Sequence, residues 1–190
     1  MKSIRVLSIL ALALAAPFAQ ADDVVARQHF DKALEKYRLH RADSLQISNE
    51  ILDTLNKAEA EVTAGNTELR YDILVLASRT FYWQGQHTDG DENKKVLHLR
   101  GKEKADAAIL VSQDYSEAYF FAGINLARWA EANGIVASIS HKGELIEYMQ
   151  QAADVARTTR DGQAGESVDG NGPDRVLGRM YEKLPGILGG

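Results

Sequence analysis

Three segments of the chain repeat one pattern of side-chain sizes at helical spacing. Each places small residues between large apolar ones at positions i, i+3, i+4 and i+7, although the third segment has polar Asp174 at its first position. The members are Leu74, Ala77, Ser78 and Phe81, then Tyr119, Ala122, Gly123 and Leu126, then Leu177, Gly178 and Tyr181. A small residue lets two helix backbones approach closely, and its large neighbours fill the groove around it. The pattern therefore predicts stacked helices, with Gly123 and Gly178 at close helix crossings.

The remaining sequence favours an all-α fold. Good helix formers dominate, proline occurs only three times, and no stretch alternates apolar and polar residues as a half-buried strand would. We expect helices at about Asp22–His40, Ser44–Ala64, Glu68–Gly85, Glu92–Ser112, Ser116–Asn133, Lys142–Thr159 and Pro173–Leu184. Pro173 is expected to be the first residue of the last helix.

The first 21 residues have the pattern of a signal peptide. A basic start at Met1–Arg5 precedes an apolar run, Val6–Phe18, and Ala19-Gln20-Ala21 then provides a cleavage site before Asp22. The apolar run is shorter than the roughly 20 residues that span a bilayer; the alternative is a buried core helix. We therefore expect a periplasmic protein that does not span the membrane. No cysteine follows the run, so we expect no lipid anchor.

Charge and residue types disfavour several classes of function. Removal of residues 1–21 takes away Lys2 and Arg5 and no acid, which changes the net charge from −5 to −7 and disfavours nucleic acid as a partner. The chain has no cysteine, so it has no disulfide and no thiol nucleophile. We expect its histidines to lie on the surface or at helix caps and to bind no metal; they are His29, His40, His87, His98 and His141.

Two Asp-rich segments, 87–93 and 169–174, have the composition of calcium loops but lack the distal Glu of an EF-hand, and helix capping also explains them. Glu131, Glu144 and Glu147 could act as paired carboxylates, although carboxylates at helical spacing usually form a solvated face. No nucleophile elbow, P-loop or dinucleotide fingerprint occurs. We therefore expect neither catalysis nor a cofactor.

The repeated pattern resembles the tetratricopeptide repeat (TPR) family. Gly101, Ala105 and the segment 108–119 follow the layout of that family's second helix and turn, with Gln113 where the family usually has proline. The resemblance implies an irregular α-solenoid of helical hairpins. The repeat steps of 45 and 55 residues exceed the family period of about 34. We therefore expect insertions at 85–93, 134–141 and 163–172.

A narrower resemblance covers roughly residues 68–190. The segments 118–123, Arg128-Trp129, Gly134-Ile135 and 172–179 resemble the periplasmic TPR component associated with some tripartite ATP-independent (TRAP) transporters, and regulators of microtubule dynamics have a related layout. The resemblance implies an adaptor or helper subunit of solute uptake that self-associates and meets an extracytoplasmic solute receptor. It also implies that a final helix is missing after Gly190. The alternative is a structural scaffold for envelope assembly that binds protein partners only.

The resemblance also implies a concave groove lined by the first helix of each hairpin. The candidate groove residues are Arg79, Tyr82, Trp83, Phe120, Arg128, Arg175 and Arg179. Arginines bind carboxylates in a bidentate manner, so the groove is expected to hold a carboxylate ligand or an acidic segment. Alternatively, these arginines pair with Asp72, Glu117 and Glu182 within the scaffold. The predicted organisation is a signal peptide at 1–21, a helical pair at 22–64 and TPR-like hairpins at 65–190, the last one incomplete.

Overall fold

The computed structural model describes residues 22–39, 44–158 and 168–183, and within these ranges all regular structure is helical. The helices are α1 (22–39), α2 (Leu45–Glu61), α3 (Thr67–His87), α4 (Asp91–Val111), α5 (Ser116–Asn133), α6 (Ile135–Ser140), α7 (Lys142–Thr158) and α8 (Val168–Lys183). The predicted all-α fold is confirmed. The predicted signal peptide lies outside the described residues and stays a prediction.

The chain divides into two compact units, Met1–Ile73 and Leu74–Gly190. The boundary between them lies inside α3.

The first unit contains an antiparallel pair formed by α1 and α2. The carboxylate of Asp23 accepts hydrogen bonds from the backbone N–H (2.9 Å) and hydroxyl (3.1 Å) of Thr63, and Lys36 forms an ion pair with Glu50. The start of α1 therefore lies beside the end of α2, and the later part of α1 lies beside the first part of α2. The backbone hydrogen bond from Thr63 is the main reason that the pKa of Asp23 lies below its usual value.

In the second unit, the long helices pack on one another in chain order. Helix α4 packs on α5, α5 on α7, and α7 on α8. The C-terminal part of α3 joins this series because the hydroxyl of Ser78 donates to the carbonyl of Gly101 in α4 at 2.7 Å. This arrangement of adjacent helices is compatible with a helical-hairpin solenoid.

Glycines allow the close approaches between these helices. A Cβ atom on Gly123 would collide with the methyl group of Met149 in α7, so the predicted crossing at Gly123 is confirmed. Gly85 faces the ring of His98 and Gly101 faces Asn125 in the same way. The prediction for Gly178 is wrong: it is exposed, and no atom lies within 4 Å of its ideal Cβ position. Gly178 and polar Asp174, four residues apart on α8, both lie on its exposed side.

The predicted insertions are also revised. Helix α3 continues through Gly85 to His87 and α4 begins at Asp91, so only residues 88–90 separate them and the additional residues lengthen the helices. Residues 135–140 form the short helix α6. Helix α8 begins at Val168, so Pro173 lies inside it and is not its first residue. Residues 163–167 lie outside the described part of the chain.

Candidate functional site

A chain of buried hydrogen bonds joins α3, α4 and α5. The amide nitrogen of Asn125 donates to the hydroxyl of Ser78 at 3.2 Å and to the carbonyl of Phe121 at 2.9 Å. The Oδ1 atom of the same side chain lies 3.2 Å from Nδ1 of His98. Ser78, His98 and Asn125 are almost fully buried. The expectation that all five histidines lie on the surface or at helix caps is therefore wrong for His98.

This network shows that Nδ1 of His98 carries a hydrogen. The carbonyl of Phe121 can only accept, so the Asn125 atom facing it is the amide nitrogen, and the oxygen must face His98. The Nδ1 atom of His98 therefore carries a hydrogen and donates it. Burial is the largest cause lowering the pKa of His98, so the ring is neutral at pH 7 and its Nε2 atom is a hydrogen-bond acceptor.

A cleft of about 210 Å³ borders this histidine. The residues lining it include Gly85 of α3, Asp91, Lys94 and His98 of α4, and Arg128 and Glu131 of α5. Among the described residues, the lining carries two cations and two carboxylates. The Nε2 atom of His98 lies on the side of the ring that faces Gly85. The cleft is therefore small, polar and balanced in charge.

Each cation in the cleft has a carboxylate neighbour on its own helix. The Nη1 atom of Arg128 lies 2.7 Å from Glu131, and the Nζ atom of Lys94 lies 4.0 Å from Asp91. Burial alone would lower the pKa of Arg128, but hydrogen bonds to Glu131 and Tyr82 outweigh it and raise that pKa. Partly exposed pairs of this kind contribute only about 0–1 kcal/mol to folding, so a ligand can replace one partner at low cost.

Three predicted groove residues gather around Phe121 and His98. The guanidinium of Arg79 lies 5.3 Å from the ring centroid of Phe121 and 3.6 Å from the Glu117 carboxylate. The ring of Tyr82 lies 5.9 Å from that of His98 and 6.4 Å from that of Phe121. Arg128 is the third member, through its hydrogen bond to Tyr82. Arg79 thus forms one of the scaffold pairs that the sequence offered as an alternative.

The other predicted groove residues lie elsewhere. Trp83 stacks on His87 with ring centroids 4.1 Å apart. Phe120 is buried, and its ring packs edge-on against Phe121, so it offers no surface to a ligand. Arg175 and Arg179 are exposed on α8, whereas the cleft is lined by α3, α4 and α5. The seven residues therefore do not form one surface.

A second polar cluster joins α4 to α7. The Lys102 ammonium lies 2.8 Å from Asp106, 3.1 Å from Glu144 and 3.1 Å from the Tyr148 hydroxyl, which in turn donates to Asp106 at 2.7 Å. Burial alone would lower the pKa of Lys102, but these bonds raise it. Burial and the bond to Asp106 raise the pKa of Tyr148 to about 12. The cluster fastens α7 to α4 beside the Gly123 crossing.

The short helix α6 carries exposed apolar side chains. Ile135 and Val136 are 77% and 75% exposed, and Ile139 is 47% exposed. Among the described residues, no helix is both long and apolar enough to cross a bilayer.

No protein-family model matches the chain, and no curated protein is significantly similar to it. The family resemblance therefore stays a prediction.

Proposed function

We propose that the chain is an exported, TPR-like binding protein that holds a carboxylate-bearing ligand in the cleft between α3, α4 and α5. The observation that carries this proposal is the position of Arg128, which lines the cleft together with Lys94. Its guanidinium already holds the carboxylate of Glu131 at 2.7 Å, which is the contact that a ligand carboxylate would make.

The wider role follows from the sequence. The signal-peptide pattern supports a periplasmic location, and the resemblance to the TPR component of TRAP systems supports a helper role in solute uptake. In that role the protein self-associates and passes its ligand to, or receives it from, an extracytoplasmic solute receptor. No cofactor takes part in this function.

The test is calorimetric titration of Arg128→Ala, with Arg179→Ala as the matched control. Both residues were predicted to line one groove, but only Arg128 lies in the cleft. Small carboxylates with and without an amino group serve as probes. Loss of one charge-assisted contact costs about 1.5–3 kcal/mol, so we expect Arg128→Ala to weaken binding at least tenfold and Arg179→Ala to leave it unchanged. If the parent and Arg128→Ala bind the carboxylates equally well, the cleft is not the ligand-binding site.

A second candidate is the envelope scaffold that binds protein partners only. The exposed side chains of Ile135, Val136 and Ile139 on α6 favour it, because contiguous exposed apolar residues often belong to protein interfaces. Chemical crosslinking in envelope fractions separates the two proposals. A scaffold would lose its crosslinked partner in Ile135→Ser/Ile139→Ser and retain it in Arg128→Ala.

A further inference from the structure

The balance of charge in the cleft constrains its ligand. Arg128 and Lys94 face Glu131 and Asp91, and His98 adds no charge because its ring is neutral. A simple carboxylate that takes Arg128 from Glu131 leaves that acid without its cation and adds a second negative charge beside it. Two neighbouring carboxylates repel each other, which weakens binding of such a ligand. A ligand that also carries a cation removes this penalty, because its own positive charge replaces the one that Glu131 loses.

The histidine at the edge of the cleft gives an independent argument. The chain of bonds from Phe121 through Asn125 places the hydrogen of the neutral His98 ring on Nδ1, which leaves Nε2 as an acceptor on the side that faces Gly85. A carboxylate oxygen has only lone pairs and cannot bond to it. An ammonium group supplies three N–H donors and can bond to Nε2 and to a carboxylate together.

The size of the cleft limits the ligand further. At about 210 Å³ it is smaller than the roughly 300–1,000 Å³ of pockets that hold drug-sized molecules. It therefore fits a small metabolite, or one end of a longer molecule.

We propose that this cleft binds a small zwitterion, as an α-amino acid is. Its carboxylate lies against Arg128 and Lys94, and its ammonium group lies against Glu131, Asp91 and Nε2 of His98. This proposal rests on the proposed binding function and narrows its ligand class.

The experiment compares amino acids with the same molecules lacking the amino group. L-alanine is paired with propionate, L-serine with 3-hydroxypropionate and L-glutamate with glutarate, each titrated calorimetrically into the mature protein at pH 7.5 and low salt. We expect at least one amino acid to bind tenfold or more tightly than its partner. If the carboxylates bind as tightly as the amino acids and Arg128→Ala loses this binding, the zwitterion proposal is overturned and the proposed function stands. Absence of binding in all three pairs, or binding insensitive to Arg128→Ala, would overturn both.

The variant Glu131→Gln tests the assigned role of the carboxylate. We expect it to reduce the affinity for the amino acid at least tenfold while propionate binds as before or more tightly, because Arg128 is then free of its acidic neighbour. Glu92→Gln is the control, since Glu92 lies on α4 and pairs with Lys95 at 2.6 Å outside the cleft. Equal loss of the amino acid and of propionate in Glu131→Gln would contradict the proposal, and circular dichroism checks that both variants keep their helical content.

Discussion

A Cβ atom on residue 101 would lie 2.5 Å from the Oδ1 atom of Asn125, closer than real side chains approach. Asn125 cannot withdraw, because its amide group is already bonded to Ser78, Phe121 and His98. The close approach of α4 to α5 at Gly101 and the orientation of His98 at the cleft are therefore parts of one arrangement. A change at Gly101 is expected to affect both.

Gly101→Ala is the first prediction. The new methyl group must push the Asn125 amide out of its hydrogen bonds, so we expect a loss of about 2–3 kcal/mol in the free energy of unfolding. Urea unfolding followed by tryptophan fluorescence measures it, because both tryptophans, Trp83 and Trp129, lie in the second unit. Gly178→Ala is the control: its methyl group meets nothing, and alanine stabilises a helix interior by about 0.5–1 kcal/mol relative to glycine. A Gly101→Ala protein as stable as the parent would contradict the close contact.

The Gly123 crossing has a different neighbour and should respond differently. The atom nearest to a new Cβ is the terminal methyl of Met149, which can swing away, so Gly123→Ala should cost less than Gly101→Ala. The same Cβ would lie 3.2 Å from Cβ of Tyr148 and 3.3 Å from Cδ1 of Leu145, so the further carbons of a leucine have no free space, and Gly123→Leu should cost about 1–3 kcal/mol or more. The same urea experiment measures both variants. Equal stability of the leucine variant and the parent would place α7 farther from α5.

The buried His98 predicts a pH dependence of stability. Its pKa is lower in the folded protein than the usual value of about 6.5, mainly through burial and further through the charges of Arg128 and Lys94, while Glu131 and the bond to Asn125 oppose this. The unfolded chain therefore binds the proton more readily. The contribution of His98 is fully present above about pH 6.5 and is lost as the pH falls, by at most about 1.4 kcal/mol per pH unit.

Urea unfolding of the parent and of His98→Gln at pH 7.5, 6.0 and 5.0 tests this. Circular dichroism is the better probe here, since the rings of His87 and His141 lie against the two tryptophans. We expect a smaller loss of stability toward acid pH in the variant. Parallel pH profiles for the two proteins would show that folding does not lower the pKa of His98.

The Lys102 cluster predicts unequal roles for two lysines of α4. Lys102 is mostly buried and bonds to three groups, so Lys102→Met leaves the acids Asp106 and Glu144 without their shared cation and should cost about 1–3 kcal/mol. Lys95 forms a single exposed pair with Glu92, and Lys95→Met should change stability by less than about 0.5 kcal/mol. Thermal unfolding of the two variants compares them. Similar melting temperatures would indicate that the cluster contributes no more than a surface pair.

The sequence predicted the helices well because helix formation depends on local composition and spacing. It placed α5 correctly and identified the crossing at Gly123 from the size of neighbouring side chains. It missed most of the cleft, because the groove residues were counted along the first helices of the hairpins, whereas Asp91, Lys94 and His98 belong to α4.

A sequence signal for the burial of His98 does exist. His98, Gly101, Ala105 and Ala108 follow one another at helical spacing on a single face of α4, and all four are buried. A histidine that begins such a row of small buried residues is itself buried, and its ring nitrogens then need a polar partner from another helix. That partner, Asn125, is distant in sequence, so local patterns could not supply it.

The hydrogen-bonded chain that runs from His98 through Asn125 and Ser78 to the backbone of Gly101 has an evolutionary consequence. None of the four positions can change alone: a side chain at 101 displaces the amide at 125, and an apolar residue at 125 leaves the hydrogen of the imidazole unbonded. Among homologous proteins that keep this fold, positions 78, 98, 101 and 125 are therefore expected to change together, by replacement of the whole polar set with apolar residues. Lineages that keep His98 should also keep asparagine at 125 and glycine at 101.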